Sequence, residues 1–135
     1  MATLESIEGI GEKYAEALRA AGVSTQEDLL AKCGTKKERQ ALAEASGISE
    51  KLILEWVNRA DLARINGVGA QFADLLEHAG VDSVPELAQR NAANLQAKMV
   101  EVNDKKNLVN RVPSVAEVEK WVAEAKTLPR AVHHF

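Results

Sequence analysis

Apolar residues in this chain recur at three- and four-residue spacing and nowhere alternate one by one, so the pattern predicts helices and no strand. Ser49 opens a run that meets no Gly or Pro before Gly67. One helix should therefore run through Arg59 and on past Asp61 and Leu62 without a linker. Thr25 with Asp28 three positions on, and Ser83 with Glu86, read as N-caps with an acid at the third helical position. Short helices are expected at roughly 26–33, 36–46 and 49–60, and again at roughly 84–90, 92–102 and 114–126.

The two sets are copies. Ile7-Glu8-Gly9-Ile10-Gly11 returns as Ile65-Asn66-Gly67-Val68-Gly69, an offset of 58 (65 against 7). At that offset Tyr14 meets Phe72, Ala15 meets Ala73, Leu18 meets Leu76, and Ala21-Gly22-Val23 meets Ala79-Gly80-Val81. Trp56 and Trp121 match at 65 (121 against 56), so the second copy carries seven extra residues, placed near 103–109. Repeat helices this short bury little alone. The expected fold is all-α, with two tandem units, 1–60 and 61–126, packed around one shared core and followed by a tail at 127–135. Tyr14, Phe72, Trp56 and Trp121 are assigned to packing. Val115, Val118 and Val122, at helical spacing between Val112 and Val122, are either core or a partner-binding stripe.

Composition narrows the function. The chain has 135 residues, 46% hydrophobic and 27% charged, with only 4% aromatic, which suits packed helices and excludes fibrous and disordered classes. Seventeen basic residues against twenty acidic ones give a net charge of −3, so no global positive field gathers nucleic acid. Any such partner must be held locally. Cys33 stands alone and reads as a buried, inert thiol in a reducing cytoplasm. The chain start shows no leader pattern and no apolar run approaches membrane length, so a cytoplasmic protein is expected. His133 and His134 read as solvated tail residues, and His78 as a surface histidine without a sequence partner. No nucleophile, phosphate loop or metal-ligand cluster is evident. Neither enzyme activity nor a cofactor or metal is expected.

The strings Ile7-x-Gly9-Ile10-Gly11-x-x-x-Ala15-x-x-Leu18 and Ile65-x-Gly67-Val68-Gly69-x-x-x-Ala73-x-x-Leu76 resemble the helix-hairpin-helix motif. Over residues 4 to 126 the order of segments, including Glu55-Trp56-Val57-Asn58-Arg59-Ala60-Asp61-Leu62, resembles a largely bacterial family of type DUF 4332, a domain of unknown function built from two such units. The hairpin resemblance implies sequence-independent contact with DNA phosphates. Glycines allow a tight turn, and open amides at the next helix start favour an anion.

That function falls on Gly9, Ile10, Gly11 and Lys13 in the first turn, and on Arg64, Asn66, Gly67, Val68, Gly69, Ala70 and Gln71 in the second. Glu8 and Glu12 flank the first turn, whereas the second meets no acid until Asp74, so the second is expected to be the better anion site. Lys36-Lys37-Glu38-Arg39 and Lys105-Lys106 with Arg111 are solvated faces or extensions of a phosphate track. The expected partner is the DNA backbone, bound weakly and with salt dependence. The competing expectation is a protein partner, with homodimerisation possible and no membrane role.

Overall fold

The computed structural model describes residues 3–133. Its elements are a 3₁₀ turn at Leu4–Ser6, then α1 (Glu12–Ala20), α2 (Gln26–Lys32), α3 (Lys36–Ser46), α4 (Glu50–Leu62), α5 (Ala70–His78), α6 (Val84–Ala88), α7 (Ala92–Lys106) and α8 (Val115–Ala125). Among the described residues no strand forms; one isolated antiparallel bridge joins Thr3 to Thr25. The fold is all-α, as the periodicity predicts. α4 is unbroken through residue 60.

The chain divides into two compact units, the first running to Asp61 and taking in the segment from Ala131, the second comprising Leu62–Arg130. Buried apolar side chains gather in two clusters, one per unit, where one shared core was expected. The first includes Leu4, Ile7, Ile10, Leu18, Leu29, Ile53 and Trp56. The second includes Leu62, Ile65, Val68, Leu76, Leu87, Leu95, Met99 and Trp121. The physical reason is length. Units of about 60 residues with a full set of Leu, Ile, Val and Trp can each enclose an interior. Trp56 is 1% exposed, and truncating such a side chain typically costs about 3–5 kcal/mol.

Local signals set the helix ends. Thr25 accepts from the Asp28 N–H at 3.0 Å and Ser83 from the Glu86 N–H at 3.4 Å, as their spacing predicts. Thr35 with Glu38 and Ser114 with Glu117 form reciprocal capping boxes. In the second unit α7 packs on α8, α6 on α8 and α5 on α7. Leu95, Met99 and Val102 form the buried stripe of α7.

The extra residues of the second copy are distributed rather than looped out at one point. α6 is shorter than α2 by two (5 against 7), α7 longer than α3 by four (15 against 11), and the connection 107–114 longer than 47–49 by five (8 against 3), a net gain of seven. Asn103 pins that connection, donating to the Val109 carbonyl at 3.1 Å and accepting from its N–H at 2.9 Å.

Two further expectations change. Val118 and Val122 are buried in the second cluster, so the valine stripe is core; only Val115, 36% exposed, faces outward. Residues 131–133 are not a solvated tail. Val132 is buried in the first cluster, the His133 N–H donates to the Gly34 carbonyl at 2.7 Å, and Arg39 Nη2 donates to the His133 carbonyl at 2.7 Å. His134 lies outside the described residues.

Candidate functional site

The two glycine turns are built alike. Ile7 N–H donates to the Leu4 carbonyl at 3.0 Å and Ile10 N–H to the Ile7 carbonyl at 3.1 Å; their counterparts Ile65 to Leu62 and Val68 to Ile65 are both 3.1 Å. Gly9 and Gly67 have φ of 96° and 89°, the left-handed region that a side chain resists. Ile10 and Val68 are buried and anchor each turn to its own cluster. Behind each turn a tryptophan from the unit's last helix closes in. A Cβ at Gly9 would lie 3.4 Å from Trp56 Nε1, and one at Gly67 would lie 3.3 Å from Trp121 Nε1. Tyr14 meets Trp56 with centroids 5.1 Å apart, and Phe72 meets Trp121 at 5.4 Å, both tilted. Tyr14 is nonetheless 40% exposed, more open than a core assignment implies.

The second glycine of each turn serves another purpose. Gly11 and Gly69 are extended N-caps (φ −88° and −91°) with no side-chain cap, and a Cβ at either would meet nothing within 4 Å. By contrast α2, α3, α6, α7 and α8 are each capped by a Thr, Ser or Asn side chain, and Ser49 Oγ accepts from Leu52 N–H at the start of α4. The open amides of α1 and α5 thus follow the two repeated turns, where the dipole is positive. A hollow of about 340 Å³ lies at the second turn, lined by Gly67, Gly69, Ala70, Gln71 and Phe72.

Charge at the turns is set by residues distant in sequence. Arg59 Nη1 donates to the Glu8 carbonyl, placing a cation at the acidic first turn. Glu124, at the position equivalent to Arg59 (124 − 65 = 59), accepts from the Asn66 N–H at 3.1 Å and brings a carboxylate to the second turn. Lys13 is exposed beside the first turn, with Glu8 and Glu12. Arg64 donates from Nη2 to the Pro129 carbonyl at 3.0 Å. The charge advantage read for the second turn is therefore offset, because proximity along the chain missed both Arg59 and Glu124.

Within the basic runs Arg39, Arg111 and Lys105 are engaged by neighbouring groups, whereas Lys36 and Lys37 are exposed. Arg39 is 2% exposed and donates to the carbonyls of Cys33 and Gly34 at 3.1 and 3.0 Å, in addition to His133. Arg111 forks onto Glu117 at 2.7 and 3.1 Å and lies 5.7 Å from the Phe72 ring centroid. Hydrogen bonding from Arg111 lowers the Glu117 carboxyl to about 2. Lys105 pairs with Glu101 at 3.5 Å.

Other reactive groups are accounted for. Cys33 is buried, and burial pushes its thiol up to about 11. His78 Nε2 lies 3.5 Å from Asp74 Oδ1, one helical turn away, a partner that i,i+4 spacing would have supplied. A hydrogen bond with Asp82 raises the Glu86 carboxyl. Among the described residues no three His, Cys, Asp or Glu side chains are grouped to hold a metal ion, and no helix is long and apolar enough to cross a membrane. Asn58 is buried on α4, and its Oδ1 has no hydrogen-bond partner among the described residues.

No curated protein and no solved structure matches the chain. A family model does match, from residue 8 to residue 128, which takes in the glycines of both turns and α1 through α8; the protein belongs to the family described as Domain of unknown function (DUF4332).

Proposed function

We propose that this protein is a small non-enzymatic DNA-binding module of helix-hairpin-helix type, whose two glycine turns contact backbone phosphates without sequence specificity. The observation that carries the reading is the selective absence of side-chain caps on α1 and α5, the two helices that follow the repeated turns. Exposed amides at Gly11, Glu12 and Lys13, and at Gly69, Ala70 and Gln71, accept an anion at the positive helix end. Ile10 and Val68 hold those amides in place from below. The hollow at Gly67–Phe72 gives the second turn room for a phosphate oxygen. Glu124 works against it and Arg59 works for the first turn, so both turns contribute.

Titration of random duplex DNA at graded salt tests this. With about two to four phosphate contacts, the log–log slope of affinity against salt should lie near −0.9 per contact. Lack of binding to duplex or single strands at about 50 mM salt would transfer the turns to the competing reading, a protein-interaction module. The carboxylates Glu8, Glu12 and Glu124 around the turns are the features that favour that alternative.

A further inference from the structure

Residues 131–133 are held through main-chain bonds of His133 and through the buried side chain of Val132. His133 donates its N–H to the Gly34 carbonyl and accepts from Arg39 at its own carbonyl, each at 2.7 Å. Between them Val132, 2% exposed, enters the first cluster. A Cβ at Gly34 would stand 2.7 Å from the Ala131 carbonyl oxygen, a separation no side chain tolerates, so the segment lies directly on the bare glycine backbone. Arg39 is buried to make this contact and spends its other guanidinium bonds on the Cys33 and Gly34 carbonyls. One acceptor, one donor and one slot for a branched apolar side chain are the requirements of an extended peptide. None of them depends on what precedes Ala131.

We infer that the cleft floored by Gly34 and closed by Arg39 is a receptor for an extended segment, filled in cis by Ala131-Val132-His133 and able to take the same segment from a second copy of this chain. That occupant follows from the seated one: an identical segment reproduces every bond, so exchange changes only the tether. Thr127, Pro129 and Arg130 of that tether are exposed. The cis segment wins when dilute because the tether sets its effective concentration.

Complementary variants of the full chain test the exchange. Val132→Asp spoils the chain's own segment but leaves its cleft; Gly34→Ala blocks the cleft but leaves its segment. Mixed, the two should form a one-to-one heterodimer in sedimentation, while each alone stays monomeric. A labelled peptide of residues 127–133 should bind Val132→Asp at least about tenfold more tightly than the unaltered chain, and should not bind Gly34→Ala. Equal peptide binding by the unaltered chain and Val132→Asp would overturn the receptor. Peptide binding without a heterodimer would overturn the second-copy assignment. Should either variant unfold, amide exchange in the unaltered protein decides. Faster exchange of the His133 N–H as excess 127–133 peptide is added, with the Val23 N–H, bonded to the Leu18 carbonyl at 2.9 Å, unchanged, upholds the proposal; His133 exchange unmoved by the peptide overturns it.

Discussion

The paired glycines of the second turn should separate folding from binding when each is replaced. Gly67→Ala puts a side chain at φ 89° and 3.3 Å from Trp121 Nε1. Left-handed strain costs about 1–2 kcal/mol, and displacing the indole adds to it, so a loss of about 2–3 kcal/mol is expected. In urea unfolding that lowers the midpoint by about 1 M or more, given a slope of about 1–3 kcal/mol per molar. Gly69→Glu meets neither obstacle, because its backbone is extended and a Cβ there has nothing within 4 Å. A carboxylate at that N-cap favours the helix by about 0.3–1 kcal/mol, so stability should hold or rise. Binding should fall, since the carboxylate occupies the amides and repels phosphate by about 1 kcal/mol or more for exposed charges near 4 Å, or roughly fivefold or more. Fluorescence anisotropy with a random duplex, alongside urea unfolding of the same samples, reads both effects. The salt slope should shrink by about 0.9, one contact. Gly11→Glu should weaken binding by a comparable factor, because Arg59 offsets Glu8 and Glu12 at the first turn while Glu124 burdens the second. Unchanged affinity and slope for a folded Gly69→Glu would refute the amide site, and a Gly67→Ala as stable as the original would refute the reading of the turn.

Three more outcomes follow from the same geometry. Glu124→Gln removes the carboxylate on the Asn66 N–H and should strengthen duplex binding about three- to tenfold; unchanged or weaker binding would show that Glu124 does not screen the second turn. Glu117 is held at about 2 against an ordinary 4.5, so its contribution to the folded state is complete above about 4.5 and is lost as pH falls toward 2. A carboxyl titration by NMR should place its midpoint near 2, and Arg111→Ala should return it toward 4.5; a midpoint near 4.5 in the unaltered protein would contradict the fork. Cys33, with its thiol pushed up to about 11, should resist an aromatic disulfide reagent at neutral pH until the chain is denatured; rapid labelling of folded protein would show that the thiol is reachable.

What the sequence determined by itself was everything carried by short-range spacing. The repeated Gly-x-Gly turns, the caps at Thr25 and Ser83 and the uninterrupted run into Leu62 depend on groups within a few residues of one another, where backbone sterics and helix periodicity leave few options. The repeat implies that Tyr14 and Phe72, and Trp56 and Trp121, have like surroundings, but that each ring meets its unit's tryptophan is decided by packing. The His78–Asp74 pair was within reach of helical spacing. Only the tertiary structure decided which distant charges reach the turns. Arg59 and Glu124 occupy matching places with opposite charge, and neither adjacency nor composition says that one donates to Glu8 while the other accepts from Asn66. The fate of the chain's last described residues was equally hidden. Ala131-Val132-His133 has no periodicity of its own, and its order comes from a bare Gly34, a buried Arg39 and a slot for Val132, residues some 90 positions away in the chain. Division into two interiors had the same origin. Helical spacing marks which side chains turn inward, but which of them share an interior depends on how the helices pack.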